Sequence, residues 1–174
     1  MTFLKRIFGG DGERARLAPL YDAIVAAGRA PTWYREGEVP DTLDGRFDMV
    51  AAILSLVLLR LEREGERGRA ECVLLTETFI DDMDGTLRQI GVGDFVVGKH
   101  VGRMIGALGG RLAAFREALQ GEGDLEQAVR RNLFRDAPPS ARAVTFASEG
   151  LRRFHGGLAP LGPERLLAGE LPAL

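Results

Sequence analysis

Two carboxylates spaced two residues apart open the stretch Asp82-Met83-Asp84-Gly85-Thr86-Leu87. Those residue types could transfer a phosphoryl group. One aspartate would attack phosphorus, and the other would protonate the leaving group and then activate water. Eleven residues after Asp82, Gly93-Asp94-Phe95-Val96-Val97-Gly98-Lys99-His100 sets two glycines and a lysine at the spacing of a phosphate-cradling loop. There the backbone N–H groups and the lysine would hold a nucleotide's phosphates. His100 and His155 are the only other candidate bases, and Cys72 is the only thiol.

Each of these chemistries needs a setting, and the surrounding residues do not supply it. The first stretch matches the signature of haloacid-dehalogenase-like phosphatases, in which the nucleophile sits at the end of a strand. Here Cys72, Leu75, Phe79, Met83, Leu87 and Ile90 recur in steps of three and four straight through the motif, which predicts a helix over about 69–90. On that helix Asp84 and Arg88 stand i, i+4 with the acid first, a stabilising order. A calcium loop counted from Asp82 fails because Gly93 stands where the bidentate glutamate is needed. The phosphate-loop pattern ends in His100 rather than in the Ser or Thr that binds magnesium, and no strand pattern precedes it. The reading is an interhelical loop over 91–98.

Composition narrows the function further. The 174 residues suit one domain, with 45% hydrophobic and 28% charged residues. A net charge of -2 offers no basic excess for nucleic acid. One cysteine permits no internal disulfide, and with two histidines no Cys/His zinc site, so no metal and no cofactor is expected. A reducing compartment follows. The start, MTFLKRIFGG, is too broken by Lys5 and Arg6 for a secretory signal and reads as a short flexible segment over 1–11, with an amphipathic foot at a membrane surface as the alternative. The longest apolar stretch, Phe47 to Leu61, contains Asp48 and Arg60 and is too short to cross a membrane, so it reads as a helix buried on nearly every side.

The elements that would position any site are therefore helices. The periodicity predicts six to eight of them and no sheet, an all-α irregular bundle. Helices are expected at about 12–28, 43–64, 69–90, 99–119, 124–135 and 140–155. Pro19 reads as a break in the first, or as its true start. A turn-rich segment, Pro31 to Asp41, carries Trp33 and Tyr34. The helical domain spans 12–155, and a loosely docked Pro/Gly-containing tail covers 156–174. Met49, Ile53, Leu56, Leu75, Phe79, Met83, Leu87, Met104, Leu108 and Leu112 form the expected core.

The two motifs also fall inside a longer series. Trp33-Tyr34 precedes Val39-Pro40-Asp41-Thr42 and Gly45-Arg46-Phe47-Asp48-Met49. Then come Asp82-Met83-Asp84, Leu87-Arg88, Gly91-Val92-Gly93-Asp94, Val97-Gly98-Lys99, Gly110-Arg111 and Asn132-Leu133-Phe134-Arg135. This series resembles the ubiquinol–cytochrome c chaperone family over roughly residues 18–135. The resemblance implies an all-helical fold without catalytic residues. It also implies an assembly role for the bc1 complex, with cytochrome b or another bc1 assembly component as partner, near the ribosome or the membrane surface. By this resemblance the chain is a bacterial relative, cytoplasmic or peripheral at the inner face of the membrane. It departs from the family at Gly109-Gly110-Arg111, where a Tyr-Gly-Arg triplet is usual, and at Phe115, where a Tyr is common.

The candidate protein-binding surface is Trp33, Tyr34, Asp84, Arg88, Asp94, Lys99 and Arg111. The polar members group around the glycine-bearing loop, as a contact surface or as an ion-pair network fixing that loop. Trp33 reads as a contact anchor or as a plug over the core. A phosphatase using Asp82 and Asp84, and a general helical scaffold, are the competing functions.

Overall fold

The computed structural model describes residues 11–91, 93–134 and 138–174, apart from the side chains of Asp11, Asp94, Phe95, Val96 and His100. Eight α-helices and no strand occur among the described residues: α1 Asp11–Gly28, α2 Pro31–Arg35, α3 Leu43–Leu61, α4 Glu66–Gln89, α5 Asp94–Gln120, α6 Leu125–Leu133, α7 Ala141–Leu158 and α8 Pro163–Leu167. The all-α bundle is as the periodicity predicts.

The centre of the fold is α3. Its start is set by Thr42, whose side chain accepts a hydrogen bond from the Gly45 N–H at 3.1 Å. From Phe47 to Leu61 every residue is buried, because α1, α4, α5, α6 and α7 all pack on it. Two of those buried residues are charged. The Asp48 carboxylate meets the Arg111 guanidinium of α5 at 2.7 Å. Arg60 is buried too: it donates to the carbonyls of Leu158 at 3.2 Å and Leu161 at 2.6 Å, and pairs with Glu64 at 2.6 Å. A buried charge needs such partners to offset its lost hydration.

Several local expectations are corrected. α1 runs unbroken through Pro19, held against the core by Leu17, Leu20 and Ile24 on either side of it. The interhelical loop is shorter than 91–98, because α5 begins at Asp94. Gly91, at a φ of 83°, reverses the chain. Gly93 is extended, and its carbonyl accepts from the N–H of Val97, a fully buried side chain that fixes the new helix. The segment from 156 is tied in rather than loosely docked: α7 continues to Leu158, Arg60 holds the Leu158 and Leu161 carbonyls, and Leu161, Leu166 and Leu167 are buried. Of the ten expected core residues, Met104 and Leu112 are only half-buried.

Candidate protein-binding surface

The motif carboxylates lie on α4, where they serve the fold. Asp82 is half-buried and accepts a hydrogen bond from the Tyr21 hydroxyl of α1 at 2.7 Å. That hydrogen bond and burial push the Tyr21 phenol well above its usual range, burial being the larger cause. The same seam holds Arg14 against Asp81 at 2.7 Å and Glu77 at 3.5 Å, and Arg16 against the buried Glu71 at 2.6 Å. Asp84 pairs with Arg88 at 2.6 Å along α4 itself. Residues 82–87 are helical throughout. The strand end that a phosphatase of this signature requires is replaced by two turns of helix docked on α1. Likewise, the glycine-lysine motif is the opening of α5, not a strand and loop.

The seven candidate surface residues do not all come together. Asp84, Arg88 and Lys99 sit near the α4–α5 turn, with Arg88 and Lys99 exposed. The side chain of Asp94 lies outside the described residues. Arg111 is only 2% exposed and belongs to the interior, paired with Asp48 and donating to the Asn132 carbonyl at 3.3 Å. Trp33, also 2% exposed, is a plug and not a surface anchor. Its indole N–H donates to the Ala27 carbonyl at 2.9 Å, and its ring meets Phe146 edge-on. Tyr34 is half-buried, donating to the Gly28 carbonyl at 2.7 Å.

Beside the α4–α5 pair the structure opens a groove of about 580 Å³ that sequence periodicity does not reveal. Its apolar lining comes from Leu58 of α3, Cys72 and Val73 of α4, and Leu112 of α5, with Glu62, Arg69 and Glu77 on its rim. The Cys72 thiol is pushed up to about 12 by burial, then by Glu62 and Glu71, which leaves it a poor nucleophile at neutral pH. Val73 is 54% exposed; Ile90, just past the other end of α4, and Ile105 on α5 are 57% and 45% exposed. Among the described residues, no cluster of His, Cys, Asp and Glu could hold a metal ion, and no helix is long and apolar enough to cross a membrane.

Comparison with known proteins agrees with this architecture. The sequence profile described as ubiquinol-cytochrome C chaperone matches residues 35–170. The chain belongs to the ubiquinol–cytochrome c chaperone family. The match extends past the motif series, through α7 and α8, so the docked C-terminal helices are part of the matched region. The chain is also similar to the Cbp3 homolog from Brucella abortus. That crystal structure superposes with a TM-score of 0.79 at 27% identity, over 99% of this chain and 97% of that one. Among curated proteins no sequence matches this chain.

Proposed function

We propose that this chain is a non-enzymatic assembly chaperone of the ubiquinol–cytochrome c reductase (bc1) complex, and that it holds cytochrome b or its partner subunit during biogenesis. The observation that carries the reading is membership of the chaperone family over most of the chain, together with a fold shared end to end with a Cbp3 homolog.

The client-binding surface in this proposal is α4, the turn after it and the start of α5. Three features support it. The motif series is dense there. Val73, Ile90 and Ile105 leave apolar side chains in solvent, and groups of such residues mark interaction sites on soluble proteins. The groove that Val73 lines, toward the start of α4, has the dimensions of a site for an apolar helical segment. A cytoplasmic protein working at the inner face of the membrane, near the ribosome, would meet such a client as it emerges.

The test is co-purification of cytochrome b with the chain from detergent-solubilised membranes. Val73→Asp and Ile105→Asp should reduce recovery at least tenfold while the melting temperature stays within a few degrees. Lys99→Glu is the cleaner charge probe, since Arg88 is already engaged by Asp84. If all three variants recover cytochrome b like the parent, this face is not the client surface. If the parent recovers none, the general scaffold reading takes over.

A further inference from the structure

A different site lies on the turn joining α1 to α2 and on the entry to α3. A pocket of about 220 Å³ is lined by Arg29, Pro31, Tyr34, Arg35, Asp41 and Arg46. Three guanidinium groups face one carboxylate. The carboxylate is spoken for: Asp41 accepts from Nε of Arg46 at 2.6 Å, and the outer nitrogens of that fork make no hydrogen bond among the described residues. Arg29 and Arg35 have no ion-pair partner among the described residues. The pocket therefore carries about two uncompensated positive charges.

Its frame is held by side chains that reach back over the turn and into the core. Trp33 and Tyr34 both reach back over the turn, to the carbonyls of Ala27 and Gly28. Pro31 opens α2 with its backbone angle already helical. Trp33 is seated on Gly150 of α7, where a Cβ would stand 2.7 Å from the indole ring. The backbone bearing the two arginines is thus locked to the core from beneath. The charges also converge. All three arginines line the same small pocket beside the Tyr34 ring.

We propose that this pocket binds a phosphate group, gripped by Arg29 and Arg35 with Arg46 as a third donor. Phosphate fits better than carboxylate on charge, since a phosphate monoester carries about -1.5 to -2 at neutral pH. It fits on geometry, since forked guanidinium groups meet phosphate oxygens two at a time. It fits on size, since the space is several times the roughly 30 Å³ share of one water. The phosphate can belong to a phospholipid headgroup or to a soluble phosphate, and the proposal does not depend on the client surface.

The experiment uses the full chain at low ionic strength, where such contacts are least screened. Inorganic phosphate is titrated by calorimetry. Sedimentation with phosphatidylcholine vesicles, with and without phosphatidylglycerol, forms the second arm. The parent should bind phosphate with a Kd of about 1 mM or tighter. The pair Arg29→Gln/Arg35→Gln should lose at least tenfold in affinity with its melting temperature unchanged. The pair Arg67→Gln/Arg152→Gln, which removes the same charge from exposed positions elsewhere, should bind like the parent. Vesicle binding that inorganic phosphate displaces assigns the headgroup; phosphate binding without vesicle binding assigns a soluble ligand. The proposal fails if the parent binds neither probe, if the Arg29/Arg35 pair binds like the parent, or if the control pair loses as much as it does.

Discussion

The helices α3 and α5 are both long and both rich in apolar residues, yet the fold uses them in opposite ways. α3 is enclosed on all sides, and its last fifteen residues are all buried. α5 is longer, but only Val97, Leu108, Arg111, Phe115 and Ala118 are buried among its described side chains. Its outer face holds Gly98, Gly102, Gly106, Gly109 and Gly110, each with open space where a Cβ would stand. A glycine inside a helix is less favourable than alanine by roughly 0.5–1 kcal/mol, so α5 gains little from its own backbone and depends on its inner face. Stability is concentrated in α3, while α5 is the element most able to yield locally, as binding elements tend to be. The two are joined by the buried Asp48–Arg111 pair.

That join gives the largest expected effect. Arg111→Ala should destabilise the protein by about 3–5 kcal/mol, because it would remove the 2.7 Å ion pair that the buried Asp48 makes with α5. Replacing both, as Asp48→Leu with Arg111→Met, should cost clearly less. Chemical denaturation of the two variants measures the difference. Equal losses would show that the pair is not what connects the two helices.

Leu56→Ala, at a fully buried position of α3, should cost about 2–5 kcal/mol, whereas Ile105→Ala on α5 should stay within about 0.5 kcal/mol. Comparable losses would erase the contrast between the helices. A sharper probe uses glycine. Gly106→Ala on the open face should raise stability by up to about 1 kcal/mol. Gly150→Ala should lower it, because the new methyl would press on the Trp33 ring. Thermal melts of both variants read the opposite signs.

The smallest effect is expected at His155 on α7, half-buried against α3 and α5, where burial and then Arg63 lower its pKa below 6.5. The folded protein therefore favours neutral imidazole. Above about pH 6.5 neither state binds the proton and the effect on stability is flat. Below it the unfolded chain protonates first, and stability falls until the folded pKa is passed. The melting temperature should drop more between about pH 7.5 and pH 5 in the parent than in His155→Gln.

Periodicity is a local property, and it settled much from the sequence alone. The 3.6-residue stripe through Phe79, Met83 and Leu87 predicts residues 82–87 to be helical, as they are, which counts against the strand end that the phosphatase signature needs. The uninterrupted apolar stretch after Met49 marked α3 as buried, and the motif series pointed to the family. What no window of sequence contains is the partner of a charge. Asp48 looks like an interruption in an apolar run, and Arg111 like a surface residue at the end of a motif. Only the crossing of α3 and α5 brings them within 2.7 Å, across 63 residues of chain. The same holds for Tyr21 with Asp82, for Trp33 over Gly150, and for Arg60 with the carbonyls of Leu158 and Leu161. Whether a polar side chain faces solvent or fills the interior depends on which helix covers it. The energy that decides this, desolvation against one well-placed partner, exists only once the helices have packed.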